Sequence, residues 1–288
     1  MYAQRIKNID LRNLQSKEDS LKKFGSLIVQ GEDPVIRLRS DSNFTRVMVR
    51  ALKTPYSFDY PFDSLITISK LVAPDSSFRI FTWQLVKDDS YCRQKGFIQM
   101  KTSDGSLRLF PLRDISEFTE KPTDTISNHG GWIGAIYYRM ITKTYQSKKY
   151  YTLLGYDEHN QRTTRKWIDI LSFDENNEPV FGIPKGFSFA EDSIPKKSVT
   201  RYLLEYKKDG RARIQFDEEM DMILLDHLIS ETNEPQKKYT LIPDGDYEGF
   251  IWKNGQWMHI NKVFTQKLED GQAPVPMPAN HIENKLGP

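Results

Sequence analysis

From about residue 60 to residue 263 the chain alternates apolar and polar residues with a period of two. Successive side chains on a strand point to opposite faces, so this period is the mark of half-buried β-strands. The candidate strands are Ile66–Val72, Phe78–Val86, Gly96–Thr102, Leu107–Leu112, Trp132–Thr144, Lys149–Tyr156, Lys166–Phe173, Val199–Lys207, Arg211–Asp217, Met222–His227, Tyr239–Ile242, Gly249–Lys253 and Gln256–Val263. Asp104-Gly105, Asp209-Gly210 and Asn254-Gly255 punctuate them, and such dipeptides accept the positive φ angles of two-residue hairpin turns. Links this short join antiparallel neighbours, and nothing between the strands is long and helical enough for a βαβ crossover. The expected fold is therefore mainly β: antiparallel meander sheets, sandwich-like or propeller-like, with an N-terminal helical segment. Arg113–Gly131 and Gly182–Ser198 read as irregular and divide the strands into groups, as propeller blades would. No fixed-period signature accompanies them, and a sandwich or a continuous curved sheet serves equally.

Before residue 60 the period is helical. Ser16-Lys17-Glu18-Asp19 opens a stretch with Leu21, Phe24, Leu27 and Ile28 on one face, and Gly31 is its stop. Asp41 or Ser42 would cap a second helix with the apolar face Phe44, Val47, Met48, Ala51 and Leu52, ended by Pro55. Arg46, Arg50 and Lys53 fall on its other side, as on a surface helix packed against a sheet. Trp132–Ile141 is apolar on both faces, the pattern of a strand covered twice, and the helices are natural candidates for one cover. The reading is one mainly-β domain over residues 1–269, with helices at about 5–55 packed on it. A Pro-rich tail follows at 270–288, extended or disordered and dispensable for folding.

Composition narrows the function classes. The 41 Lys+Arg nearly cancel the 39 Asp+Glu, so no overall field would draw the chain to nucleic acid or an anionic membrane. No apolar run is long enough for a membrane-spanning helix. A mean hydropathy of -0.61 is polar, but 16 Phe, 14 Tyr and 5 Trp supply core material. The lone Cys92 makes no internal disulfide and no Cys-rich metal site; it stands in the turn-like stretch Asp88–Arg93 and reads as a surface loop cysteine. The phosphate loop, the dinucleotide fingerprint, the zincin motif and the nucleophile elbow are all missing.

The histidines, His129, His159, His227, His259 and His281, stand apart from one another, so no transition metal and no cofactor is expected. Asp226-His227 is poorly placed for a dyad, because strand neighbours face opposite ways. His129-Gly130-Gly131 reads as an exposed loop. Asp244, Asp246 and Glu248 alternate, so an extended backbone puts three carboxylates on one side, where a calcium ion would find oxygen ligands. With Asn254-Gly255 as a turn, Trp252 faces Trp257 and Phe250 faces His259. A face carrying Phe250, Trp252, Trp257 and His259 would stack on a sugar or a partner if exposed. Buried, it is simply core, and large aromatics mostly serve burial.

The segments Asp59-Tyr60-Pro61-Phe62-Asp63-Ser64-Leu65, Phe78-Arg79-Ile80-Phe81-Thr82-Trp83-Gln84-Leu85, Lys149-Tyr150-Tyr151-Thr152-Leu153-Leu154-Gly155-Tyr156-Asp157 and Pro243-Asp244-Gly245-Asp246-Tyr247-Glu248-Gly249-Phe250 resemble those of exported hypothetical proteins of Bacteroidota. The resemblance covers roughly residues 56–263. It implies an extracytoplasmic setting, periplasmic or associated with the outer membrane, and implies no reaction. Met1-Tyr2-Ala3-Gln4 agrees with it, since Ala-Gln is a common junction after signal-peptide removal and no signal peptide stands in the chain itself. The leading expectation is a non-enzymatic binding or envelope-assembly protein that recognises an envelope protein or a glycan. The alternative is a hydrolase, one acting on glycans included, with a site assembled from loop carboxylates and a histidine. A cytosolic structural protein is the third reading.

Overall fold

The structure, a computed structural model, describes residues 5–88 and 91–264. The four N-terminal residues and the Pro-rich tail fall outside the described residues. Two helices come first, α1 (Asn8–Gln30) and α2 (Pro34–Leu52). Both begin earlier than the sequence reading places them. In α1 the helix opens at Asn8, eight residues ahead of Ser16, and its buried stripe Leu14, Leu21, Gly25 and Ile28 begins before Ser16. In α2 the true cap is Asp33, whose carboxylate accepts the Val35 N–H at 2.7 Å, with Pro34 supplying the first helical φ. Asp41 instead lies mid-helix on the buried face, where it accepts the Trp83 indole N–H at 2.8 Å.

Among the described residues sixteen strands follow, arranged as three sheets. The first is the meander β1 (Ser69–Val72), β2 (Phe78–Asp88), β3 (Tyr91–Met100) and β4 (Arg108–Arg113). The second has the order β5 (Ser127–Asn128), β9 (Pro179–Phe181), β8 (Thr163–Phe173), β7 (Lys148–Asp157), β6 (Ile136–Tyr145), and β12 (Tyr202–Lys207) pairs with the first half of β8. The third runs β11 (Lys196–Val199), β10 (Phe187–Phe189), β16 (Gln256–Ile260), β15 (Leu241–Lys253), β14 (Met222–Ser230), β13 (Ile214–Asp217). Of these pairings only β10–β16 is parallel. The chain is thus mainly β with antiparallel sheets and two N-terminal helices, and the described residues form no closed barrel.

Alternation along the strands stacks these pieces in four layers. On β2 and β3, Phe81, Trp83, Leu85 and Phe97 turn toward Leu14, Leu21, Phe44 and Met48 of the helices. Their neighbours Phe78, Ile80 and Ile98 turn the other way, onto Tyr151, Leu153, Trp167 and Leu171 of the second sheet. The far face of that sheet, with Leu154, Ile168 and Ile170, packs on Phe187, Ile223, Phe250 and Trp257 of the third. The two-faced segment around β6 is therefore covered by sheets on both sides and not by the helices. A bulge between Tyr137 and Arg139 also breaks its strict alternation, so Met140 joins Ile133, Ala135 and Tyr137 in the cluster that meets the first sheet.

The short strands β5, β9, β10 and β11 lie in or beside the stretches read as irregular. Two to four residues are too few to show a period. A buried ion pair ties this region down: Arg201 and Asp169, both shielded from solvent, approach to 3.2 Å, and the Arg201 guanidinium donates to the Pro122 carbonyl at 2.7 Å.

Candidate functional site

At one end of the contact between the first and second sheets the apolar packing gives way to a polar cleft of about 270 Å³. Four strands build it. β3 brings Cys92 and Arg93; Asp114 follows β4; β7 ends at Asp157 with His159 just beyond; β8 adds Arg165, whose Nε donates to Glu205 of β12. Strand ends converge here because sheets packed face to face must open where their strands terminate.

Two carboxyl groups bracket Gln94. Asp114 accepts four donors: the Gln94 N–H (3.0 Å), the Ser116 N–H (3.0 Å), the Ser116 hydroxyl (2.5 Å) and the Gly134 N–H (3.1 Å). Gly134 must be glycine, since a Cβ there would stand 2.6 Å from the Asp114 carboxyl carbon and 2.4 Å from Gln94 Cβ. Asp157 is buried, and its Oδ1 accepts the Gln94 amide at 3.0 Å and the His159 N–H at 2.9 Å. Burial pushes the Asp157 carboxyl above its ordinary value, with Asp114 adding to the effect against the pull of Arg165. Gln94 also donates to Gln84, which donates to Glu158, so the polar layer runs across both sheets.

Neither Cys92 nor His159 is activated. The Cys92 thiol lies 3.7 Å from Asp157 Oδ1, and burial together with that carboxylate pushes it up to about 12. His159 holds a left-handed backbone (φ 61°), its ring 3.8 Å from Glu205. Burial first, and then the Arg165 charge, draw its imidazole down to about 4, against the opposite pull of Glu205. Cys92 is thus a half-buried strand residue of the cleft and not a surface loop residue. The rim carries Phe118, 79% exposed.

A second cluster lies in the third sheet and contains most of the residues singled out from sequence. The register implied by Asn254-Gly255 is the one found, with Trp252 opposite Trp257 and Phe250 opposite His259. Phe250, Trp257 and His259 are buried against the second sheet; the Trp257 indole donates to the Thr152 hydroxyl at 2.9 Å, and half-buried Trp252 rests on Tyr150. That face is core, and it offers no stacking platform to a ligand.

Each acid of the run on β15 has a basic side chain beside it. Asp244 pairs with His227 Nδ1 at 2.8 Å and Asp246 with Lys262 at 2.9 Å. Glu248 lies 3.1 Å from His259 Nε2, whose Nδ1 is 2.9 Å from Asp192. The trio Asp244, Asp246 and Glu248 does not converge on a point a calcium ion would fill. Among the described residues no three histidine, cysteine, aspartate or glutamate side chains form a metal-holding group. Asp226 accepts the Arg213 N–H and takes no part with His227. His129 makes a 3.0 Å contact with the Pro111 carbonyl, and His281 lies outside the described residues.

The cleft residues Asp114, Asp157, Arg93, Arg165 and Phe118 escaped the sequence reading. They come from separate strands with no local motif. The one local signal is Asp114-Ile115-Ser116, an Asx-turn spacing in which the Ser116 N–H returns to the Asp114 carboxylate. Comparison with protein-family models, curated proteins and solved structures returns no match, so the geometry alone bears on function.

Proposed function

We propose that the chain is a non-enzymatic, extracytoplasmic binding protein for a glycan, with the cleft between the first and second sheets as its site. The observation that carries this reading is Phe118, exposed at the rim of a cleft lined by planar polar side chains. A sugar ring presents an apolar C–H face and a fringe of hydroxyls, which an aromatic ring beside carboxyl, amide and guanidinium groups complements. A volume of about 270 Å³ suits one sugar residue, with the rest of the chain outside.

Binding is favoured over hydrolysis by the condition of the cleft groups. A hydrolase needs a free base or nucleophile beside a proton donor. Here the thiol is held protonated, the imidazole is a weak base, and Asp114 already accepts four donors. Asp157 alone is suited to proton donation.

The test is calorimetric titration of the full chain with oligosaccharides, alongside Phe118→Ala. At least one sugar class should bind, and Phe118→Ala should weaken it tenfold or more with the melting temperature unchanged. Binding that is indifferent to Phe118, or no binding at all, would remove the proposal. Release of reducing ends that stops in Asp157→Asn would put the hydrolase in its place. The extracytoplasmic setting, implied by the resemblance, is tested separately by fractionating cells that express the native gene.

A further inference from the structure

We infer that the glycan recognised at this cleft is acidic, a sugar whose carboxylate is held by Arg93 and Arg165; the inference rests on the glycan reading above. The argument comes from which groups are already committed within the protein.

The carboxylates that line or adjoin the cleft are almost all engaged. Asp114 takes its four donors, Glu205 accepts Arg165 Nε at 2.9 Å and the Thr163 hydroxyl at 2.8 Å, and Glu117 is itself engaged. Asp157 is shifted by burial toward its neutral form.

The donors are in the opposite condition. Arg93 is half-buried at the cleft, and its guanidinium makes no hydrogen bond or ion pair with any described residue. Arg165 uses its Nε on Glu205, and no hydrogen bond of its two terminal nitrogens to a described residue is found. Asn160 accepts the Arg162 and Thr163 N–H groups through Oδ1, which leaves its amide N–H₂ as a further donor. One acceptor, the buried Gln94 Oε1, also has no partner, but the uncommitted groups that face the cleft are weighted toward N–H donors. A neutral sugar offers hydroxyls that ask for both. A carboxylate offers two coplanar acceptor oxygens and a charge, which is what a guanidinium fork fits. Phe118 at the rim would take the ring's apolar face while the C5 carboxylate enters toward Arg93.

The experiment titrates the full chain with uronate oligosaccharides built on galacturonate, glucuronate and mannuronate, and with the same oligosaccharides after reduction of each carboxyl to an alcohol. At least one uronate series should bind ten times or more tightly than its reduced form. Arg93→Gln should erase that preference by weakening only the acidic ligand, and Arg93→Lys, which keeps the charge and loses the fork, should fall between. Because the Arg93 guanidinium has no partner among the described residues, neither variant should lower the melting temperature.

Equal affinity for acidic and reduced sugars would overturn the inference and leave the glycan reading standing. A loss in Arg93→Gln shared equally by both ligands would also overturn it, since Arg93 would then be reading hydroxyls. A sulfated neutral oligosaccharide that bound as tightly, and as dependently on Arg93, would make the recognised group a generic anion and refute the carboxylate assignment. Failure of every sugar to bind would take down both readings together.

Discussion

Replacing Trp257 by alanine should destabilise the protein by about 4–6 kcal/mol. The ring is fully buried in the contact between the second and third sheets, edge-on to Trp252 with centroids 5.3 Å apart. Truncating a buried tryptophan removes its transfer free energy and leaves a cavity, together about 3–5 kcal/mol. The Thr152 hydroxyl loses its indole donor, a further ~1 kcal/mol when the site stays dry. Against a total stability of roughly 5–15 kcal/mol, the variant retains little margin. The assay is urea unfolding of the full chain followed by circular dichroism, since removing a tryptophan alters fluorescence. Trp257→Phe supplies the companion measurement: it keeps most of the volume and should lose about half as much. If Trp257→Ala shifts the unfolding free energy by less than about 1 kcal/mol, the range of ordinary surface substitutions, the claim that this hairpin seals the third sheet onto the second is wrong.

Three further outcomes concern titration and reactivity. His159 is held near 4 in the fold against 6.5 when free, so between those values the unfolded chain takes up a proton that the native state refuses. Its contribution is therefore complete above pH 6.5 and declines on acidification to about pH 4; His159→Asn, which tolerates the left-handed backbone, should flatten that limb of a melting-temperature profile. His259 works in the opposite sense. Burial disfavours its charge, but Glu248 and Asp192 outweigh burial and raise it, so its contribution is present below about 6.5 and fades as pH rises through the folded value. His259→Gln should flatten the alkaline limb. Cys92, pushed up to about 12, should react with iodoacetamide at pH 8 on the order of 10³ times more slowly than a free thiol, and at the free rate once unfolded; fast labelling of the native protein would contradict the environment described for it.

What the sequence disclosed and what it withheld divide along a physical line. Long strands such as β2, β7 and β8 carry enough alternation to be read, and Asn254-Gly255 fixes a register to the residue because only a narrow set of backbone angles closes a two-residue turn. Helix starts were harder. The first turns of α1 and α2 hold few buried residues, and Asp33-Pro34, the true start of α2, was passed over for Asp41. Cys92 was misplaced because Asp88-Asp89-Ser90 has turn composition, whereas β3 resumes by Tyr91 and carries the cysteine inward. The cleft was illegible for a different reason. Its members depend on which sheet stacks on which, and period-two alternation says that a face is covered without naming the cover. Asp244 and Glu248 drew notice as acids, but the imidazoles of His227 and His259 that answer them lie on neighbouring strands.

The parallel pairing of β10 with β16 has a consequence for how the chain assembles as it is synthesised. The layers are laid down nearly in the order in which the ribosome releases them: helices, first sheet, second sheet, then third. Each finds the apolar face it needs already in place. The exception is Phe187–Val199, which carries β10 and β11 of the third sheet but emerges before β12 of the second. These two strands must wait, paired only with each other, until β16 arrives some 70 residues later and slides between β10 and β15, setting Phe187 beside Trp257. Until then Phe187 and Phe189 are an unsealed apolar edge. A nascent chain stalled before Gln256 would present that edge to its neighbours, so the last hairpin acts as the clasp that ends the period of aggregation risk.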